Sequence, residues 1–226
     1  MSPERAVSLE AVFQKDIRLF REFPAAAARG LARRSAVRRY SRGERVCEAG
    51  RPARSVWALL EGRVVVHRRH WNGRKVGIEI MVPGDVFGLP ALTHWSSPSE
   101  IEAALDSRVA EIPREAMLKA MEEHAQVSRA VFALISRRLR FIESQLFLAQ
   151  EPVETRLAAA LVYLAEKFGP RLPLTHGEIG EMAATTPETT MRRLKLLAAR
   201  GVIRRRRGEV EIVDADRLRA LVARAG

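Results

Sequence analysis

The amino-acid sequence predicts an α+β protein, with an antiparallel β-barrel in the N-terminal half, one long helix, and a C-terminal domain of helices followed by a β-hairpin. Glycines separate short apolar runs between residues 40 and 90, as in antiparallel strands joined by regular turns. Apolar residues then repeat every seven positions between residues 126 and 150, which indicates a long helix. Helical spacing returns after residue 152 and gives way to alternating residues, which are typical of a strand.

The N-terminal 39 residues have helical spacing. Apolar side chains recur at helical intervals from Leu9 to Phe20 and stop before Pro24. A second amphipathic helix is expected over residues 25–34. The region from Arg29 to Arg54 carries nine arginines and two acidic residues. We interpret this basic patch as mostly facing solvent.

The strand-rich region begins at Tyr40. Its apolar runs include Val56–Leu60, Val64–Val66 and Val76–Ile80. Asn72-Gly73 lies between two of these runs, and this dipeptide is a strong signal for a tight hairpin turn. The region therefore predicts an antiparallel barrel or roll.

The next region predicts a short helix to about Glu123 and a long helix from about Gln126 to Gln150, which ends before Pro152. Three adjacent apolar rows make a stripe on the long helix that is wider than one coiled-coil seam needs. The stripe either packs inside its own domain or combines a dimer seam with packing against the barrel. Arg138 interrupts the stripe and would need an ion-pair partner if it faced a seam.

The C-terminal region contains two well-marked helix starts. Thr175 and Glu178 form a capping box, which predicts a short helix to about residue 183. Thr186 can cap a second helix that begins at Pro187, and Gly201 ends that helix. Two helices joined by a few residues form a helix-turn-helix. Helices over residues 155–168 and 216–225 complete the predicted domain.

Positive charge is concentrated beside this motif. The whole chain has 226 residues and a formal net charge of +12, which points to a polyanionic partner. Eight Lys or Arg residues and one acid, Glu188, lie between Thr185 and Gly208. Arg204–Arg207 and the alternating Glu209–Val213 predict a β-hairpin wing. A solvated arginine loop is the alternative, but its position after a helix-turn-helix favours contact with double-stranded DNA.

The second helix carries side chains suited to reading base pairs in the major groove. Arg192 can donate two hydrogen bonds to guanine, and Glu188 can accept one from cytosine N4. The residues assigned to base reading are Pro187, Glu188, Thr189 and Arg192. The residues assigned to phosphate contacts, which position the protein without specifying sequence, are Thr175, Thr186, Arg193, Lys195, Arg204, Arg205, Arg206 and Arg207.

These motifs resemble those of the CRP/FNR transcription regulators. The DNA-binding resemblance lies in Leu174-Thr-His-Gly-Glu-Ile-Gly180 and Pro187-Glu-Thr-Thr-Met-Arg192, followed by a wing. The glycine pattern that ends in Gly84-Asp-Val-Phe-Gly88 resembles the family's cyclic-nucleotide-binding jelly roll. The resemblance spans roughly residues 15 to 222. It implies a sensor domain over residues 1–123, a dimerisation helix and hinge over 124–151, and a winged helix-turn-helix domain over 152–226.

The resemblance also implies a homodimer on an inverted-repeat operator, with allosteric control by an effector and contact with RNA polymerase if the protein is an activator. It favours the dimer-seam interpretation of the long helix. The residues assigned to this dimer helix are Val127, Val131, Leu134, Ile135, Phe141, Ile142 and Leu148.

The predicted sensor departs from the family pattern for cyclic nucleotides. Leu89 occupies the position where the family has a glutamate for the ribose, and no Lys or Arg lies between Gly88 and Ser107. Glu100 and Glu102 lie there instead, which argues against cyclic AMP because a buried phosphate needs cationic partners. Backbone N–H groups alone could still hold a phosphate, so a cyclic-AMP-responsive regulator stays as an alternative.

The sequence also bears on two other cofactors, an iron-sulfur cluster and haem. An FNR-type iron-sulfur cluster needs four thiolates, and the chain has only Cys47, so the sequence argues against a cluster. Haem is an alternative because His67, His70 and His94 lie in the sensor, which would make the protein a sensor of gases such as CO or NO. The preferred prediction is a small apolar effector, in a pocket lined by Leu89, Leu92, His94, Trp95 and Ile101.

Enzymatic activity and a membrane location are both disfavoured. No motif places a general base beside Cys47, so we predict no enzyme activity and no metal site. A module that regulates a protein partner would leave the arginine wing without a purpose. No uncharged apolar run approaches the roughly 18 residues that span a bilayer, and no signal peptide is recognised. The lone cysteine suits a reducing compartment, so we expect the cytoplasm.

Overall fold

The computed structural model describes residues 8–52, 54–69, 71, 75–93, 96–97 and 99–223. The chain divides into two compact units, the first formed by residues 1–68 and 79–138 and the second by residues 69–78 and 139–226. The division falls within the long helix. None of the helices among the described residues is long and apolar enough to cross a membrane.

Two helices precede the barrel. Helix α1 spans Leu9–Lys15 and begins at Ser8, whose side chain accepts from the Ala11 N–H. A short 3-10 helix spans Phe20–Glu22, and α2 spans Ala25–Arg34. The prediction of helix was wrong for the residues after 35, because β1 spans Ala36–Tyr40. This strand pairs only with β8 at the edge of its sheet and its residues are mostly exposed, so no apolar alternation marked it.

The barrel consists of two four-stranded antiparallel sheets, as predicted from the glycine-separated apolar runs. One sheet has the order β1-β8-β3-β6 and the other has the order β2-β7-β4-β5. The predicted turn at Asn72-Gly73 lies outside the described residues. The remaining strands are β2 Arg45–Cys47, β3 Ser55–Glu61, β4 Val64–Arg69, β5 Lys75–Met81, β6 Val86–Phe87, β7 Glu100–Ala103 and β8 Ser107–Pro113.

A tight contact on Trp57 fixes the end of strand β6. Trp57 stacks on Phe87, with ring centroids 5.8 Å apart, in the core of the first unit. Gly88 follows with φ +79°, and a Cβ added there would lie 2.2 Å from the Trp57 ring. The second glycine of the Gly84-Asp-Val-Phe-Gly88 turn is therefore required both by its backbone conformation and by close packing.

Helix α3 spans Arg114–Glu123, and the long helix α4 spans Ala125–Leu148, which agrees with the predicted positions. Two residues that we assigned to a dimer seam, Val127 and Val131, are fully buried in the core of the first unit. Those two assignments were wrong, because the helical spacing alone did not tell which apolar row faces the barrel. Leu134 is partly buried and packs against the same core, so its place in a seam stays a prediction.

A different row of α4 stays exposed. Its members follow the alternating three- and four-residue spacing of a coiled-coil seam and are between 44% and 72% exposed. Ile135 and Ile142 of the predicted seam belong to this row. The row consists of Phe132, Ile135, Leu139, Ile142 and Leu146.

The remaining predicted seam residues, Phe141 and Leu148, pack within the second unit. Phe141 stacks on Tyr163 of the second unit at 4.2 Å, and Leu148 is buried. Arg138 does not interrupt the exposed row, because its guanidinium lies 3.2 Å from the Glu79 carboxylate and donates to the Val86 carbonyl.

The second unit is helical with a three-stranded sheet. Its α5 core residues, including Leu157, Leu161 and Leu164, are fully buried, so this helix supports the others. The sheet has the order β10-β11-β9. The elements are α5 Val153–Phe168, β9 Arg171–Leu172, α6 His176–Met182, α7 Pro187–Ala199, β10 Ile203–Arg206, β11 Glu209–Ile212 and α8 Ala215–Ala223.

Candidate DNA-binding surface

The first helix of the motif begins with the predicted capping box. The Thr175 hydroxyl accepts from the Glu178 N–H at 3.2 Å, and the Glu178 carboxylate accepts from the Thr175 N–H at 2.8 Å. The same carboxylate accepts from the Thr175 hydroxyl. Two of the N–H groups that a helix start leaves unpaired are satisfied in this way, which fixes where α6 begins.

Helices α6 and α7 cross at a contact that the sequence analysis did not identify. A Cβ added to Gly180 would lie 2.5 Å from Thr190 Oγ1, so only glycine allows this approach. Thr190 is fully buried, and its hydroxyl donates to the Thr186 carbonyl at 2.9 Å. A glycine inside a helical stretch was the available signal.

The turn between the helices is held by one unusual backbone conformation. Ala184 has φ +50°, a left-handed conformation that only this non-glycine residue adopts among those described. Arg156 of α5 donates to the Ala184 carbonyl at 3.5 Å and to the Ala149 carbonyl, just after α4, at 3.4 Å. The turn is therefore tied to the supporting helices beneath it.

Helix α7 presents the predicted base-reading side chains. Thr186 caps it by accepting from the Thr189 N–H, and Pro187 is its first residue. Glu188 and Arg192 are exposed and four residues apart, so they lie on one face of the helix. Pro187 is exposed beside them, whereas Thr189 is half-buried.

The residues predicted to contact phosphate divide into two groups. Lys195, Arg206 and Arg207 are exposed, as are the cap residues Thr175 and Thr186. Arg204 is exposed but forms an ion pair with Glu211 across the wing at 2.9 Å. The other members, Arg193 and Arg205, are half-buried and have partners within the second unit, so their phosphate contacts stay a prediction.

Arg193 lies against the supporting helix rather than pointing outward. Its Nη1 atom is 3.5 Å from a Glu154 carboxylate oxygen, and Arg200 places its Nη1 atom 2.6 Å from the other oxygen. Position 193 is one helical step from Arg192, so its side chain falls on the flank that packs on α5. The sequence could not reveal this partner, because Glu154 is 39 residues away.

Arg205 is half-buried in strand β10 of the wing, next to the tip residue Arg206. Its Nη2 atom lies 3.4 Å from His176 Nε2. Burial, together with the positive charge of Arg205, lowers the pKa of the His176 imidazole, so this side chain is held neutral and can accept a hydrogen bond. Arg205 therefore joins the wing to α6 in addition to carrying positive charge.

The wing itself forms as predicted. Strands β10 and β11 are antiparallel, and Arg206 pairs with Glu209 around a turn made by Arg207 and Gly208. Gly208 has φ +73°, the conformation that such a turn requires. The turn places Arg206 and Arg207 at the exposed tip.

Three of the five predicted effector residues lie in or against the packed core of the barrel. Leu89 and Ile101 are buried there, and Leu92 packs against the same core. His94 and Trp95 lie outside the described residues, as does His70. A pocket lined by these residues therefore stays a prediction.

The acidic residues near the predicted effector site gather around a histidine. His67 is buried, its Nε2 atom lies 2.9 Å from a Glu100 carboxylate oxygen, and Glu102 is 3.9 Å away. His67 thus uses the nitrogen that a haem iron would otherwise take. The half-buried Cys47 thiol has a raised pKa because burial disfavours the thiolate, so it is a poor nucleophile at neutral pH.

Comparisons with known proteins match both halves of the chain. Residues 37–124 match the cyclic nucleotide-binding domain, and residues 155–221 match the Crp-like helix-turn-helix domain. The chain is 30% identical to the cyclic AMP receptor protein of Thermus thermophilus, over 79% of this chain and 84% of that protein. It is 27% identical to electron transport regulator A of Shewanella oneidensis, over 81% and 77% of the two chains.

The fold is also similar to that of a solved structure. The structure of FixK2 from Bradyrhizobium japonicum matches with a TM-score of 0.77 and 25% identity, over 83% of this chain and 96% of that one. The chain belongs to the CRP/FNR family of transcription regulators.

Proposed function

We propose that this protein is a homodimeric regulator that binds an inverted-repeat DNA operator and responds to an effector other than a cyclic nucleotide. The observation that carries the proposal is the exposed pair of Glu188 and Arg192 on the outer face of the capped helix α7. A family resemblance alone would not assign residues, but this pair has the spacing and chemistry of base readers at the start of a recognition helix.

The two kinds of DNA contact come from different parts of the surface. Arg192 and Glu188 read base edges, with Pro187 and Thr189 beside them at the start of the helix. Lys195, Arg206 and Arg207 are exposed cations that bind the phosphate backbone and set the register. Thr175 and Thr186 lie at the starts of α6 and α7, where backbone N–H groups attract phosphate.

The exposed apolar row of α4 supports dimerisation. Large apolar side chains in a seam pattern are costly in water and are buried when two copies of the helix pack in parallel. A two-fold dimer places two α7 helices about 34 Å apart, one turn of DNA. The protein would act in the cytoplasm, and an activator would also contact RNA polymerase.

The proposed effector is a small apolar molecule that shifts α4 and so reorients the two recognition helices, with a coupling energy of about 1 to 3 kcal/mol. Two features argue against a cyclic phosphate as the effector. Leu89 lies in the barrel core, and two carboxylates lie beside His67. A cyclic-AMP-responsive regulator is the second candidate. It is favoured by the names of two relatives, the Thermus thermophilus receptor and a cAMP-activated regulator of Mycobacterium tuberculosis, which is 29% identical.

The base-reading role predicts a loss of specificity in Arg192→Ala. The substitution should cost roughly 1 to 3 kcal/mol on the preferred operator and little on random DNA, because it removes a bidentate contact to guanine. Fluorescence anisotropy on both duplexes measures the difference. The matched control is Arg207→Ala at the wing tip, which should weaken both duplexes alike and reduce the salt slope by about 0.9 per phosphate. Equal losses on both duplexes for Arg192→Ala would contradict its role.

The seam predicts that Leu139→Asp separates the dimer. Burying an aspartate opposite its own copy should cost roughly 3 kcal/mol or more, about 100-fold in the dimer dissociation constant. Sedimentation equilibrium measures this constant. Phe147→Asp is the control, because Phe147 is 59% exposed on the same helix, against 56% for Leu139, but lies off the seam. A dimer that survives Leu139→Asp, or that is lost equally in the control, would place the interface elsewhere.

The effector proposal predicts that cyclic AMP does not bind. A ligand at 100 times its dissociation constant stabilises the folded state by about 2.7 kcal/mol. With cyclic AMP at about 1 mM, the melting temperature should therefore stay unchanged, and isothermal titration calorimetry should show no saturable heat. Saturable binding at micromolar concentration would establish the cyclic-AMP alternative instead.

A further inference from the structure

The carboxylate of Glu154 forms ion pairs with two arginines of the helix that carries the base readers. Glu154 lies in the first turn of α5, where the helix dipole favours a negative charge. Its two oxygens lie 3.5 Å from Arg193 Nη1 and 2.6 Å from Arg200 Nη1. Both arginines belong to the recognition helix or its C-terminal cap. One half-buried carboxylate therefore forms ion pairs with two cations, Arg193 of the recognition helix and Arg200 of its C-terminal cap.

Guanidinium groups bind carboxylates and phosphates with the same donors. An arginine that donates to Glu154 offers fewer N–H groups to a phosphate, and the carboxylate cancels one positive charge at short range. A helix in the major groove has a phosphate backbone along each side. Arg193 directly follows the base reader Arg192 in the helix, so we expect a phosphate of one of these backbones to compete with Glu154 for its guanidinium.

The ion pair between Glu154 and Arg193 is partly shielded from solvent. Its side chain is 24% exposed and that of Arg193 is 36% exposed, so solvent screens this pair less than a surface ion pair. The Arg200 carbonyl accepts from Arg217 Nη1 of α8 at 3.1 Å, which fixes the backbone from which the Arg200 side chain reaches Glu154. The contact is therefore present in the free protein before DNA arrives.

We propose that Glu154 is an internal counterion that competes with the DNA backbone for Arg193 and Arg200. It lowers the affinity for every DNA sequence by the same factor and leaves the ratio of specific to random binding unchanged. The inference rests on the proposed DNA-binding role of α7.

The test is Glu154→Gln, which keeps the shape of the side chain and removes its charge. Binding is measured by fluorescence anisotropy on a duplex selected from a random library and on an unselected duplex, from about 50 to 300 mM salt. Both affinities should rise by the same factor, about 3- to 10-fold at 0.1 M salt, and the salt slope should steepen by about 0.9 for each subunit on DNA. The melting temperature is measured in parallel.

Three further variants separate competition from other effects. Glu166→Gln removes the same charge from an exposed position on the same helix and should change affinity less than about 2-fold. Glu154→Ser is a second neutral variant in case the glutamine variant folds poorly. In a background that carries Arg193→Ala and Arg200→Ala, the gain from Glu154→Gln should disappear, because no released guanidinium remains.

Two results would overturn the proposal. Unchanged affinity and salt slope in both neutral variants would mean that Glu154 only fastens α7 to α5. A fall in affinity would mean that Glu154 aims the arginines at the phosphates rather than withholding them. Wild-type protein that binds neither duplex would contradict the proposed function itself, whereas normal wild-type binding with an unresponsive Glu154→Gln would contradict only the role of Glu154.

Discussion

The DNA-binding surface depends on the close crossing of α6 and α7. Gly180 has no Cβ to separate the helices, so α6 can approach the buried Thr190 of α7. The Thr190 hydroxyl donates to the Thr186 carbonyl one turn earlier, at the start of α7. The caps at Thr175 and Thr186 then satisfy N–H groups that would otherwise be unpaired at both helix starts. This fixed frame gives Glu188 and Arg192 a common outward direction. A surface that reads base pairs requires such a frame, because a misplacement of about 1 Å breaks a bidentate contact.

Part of the positive charge beside the helix-turn-helix is paired within the protein. Glu154 forms ion pairs with Arg193 and Arg200, and Glu211 pairs with Arg204. Arg205 of the wing contacts His176 of α6. Lys195 on α7 and the wing-tip residues Arg206 and Arg207 are exposed. Non-specific attraction scales with the phosphates neutralised, so under the proposed role of Glu154 this internal pairing lowers the affinity for all DNA sequences alike.

Local signals allowed the sequence to predict much of the fold and part of the site. The capping box at Thr175, Pro187 at a helix start and the turn at Gly208 each act within a few residues, and the structure has all of them. Long-range contacts were missed. Helical spacing identified the stripe on α4 but not that Val127 and Val131 face the barrel, and no local pattern joins Arg193 to Glu154. Strand β1 was missed because its residues are mostly exposed, which leaves no apolar alternation.

The proposed function requires that one dimer uses its two copies of α7 to read a symmetric operator. Hydroxyl-radical footprinting on a duplex selected from a random library tests this claim most directly, because it reports the number, spacing and symmetry of the contacts together. We predict two protected half-sites about 10 base pairs apart, centred on an inverted repeat that contains guanine. One asymmetric protected site, or uniform protection without a selected sequence, would contradict the account.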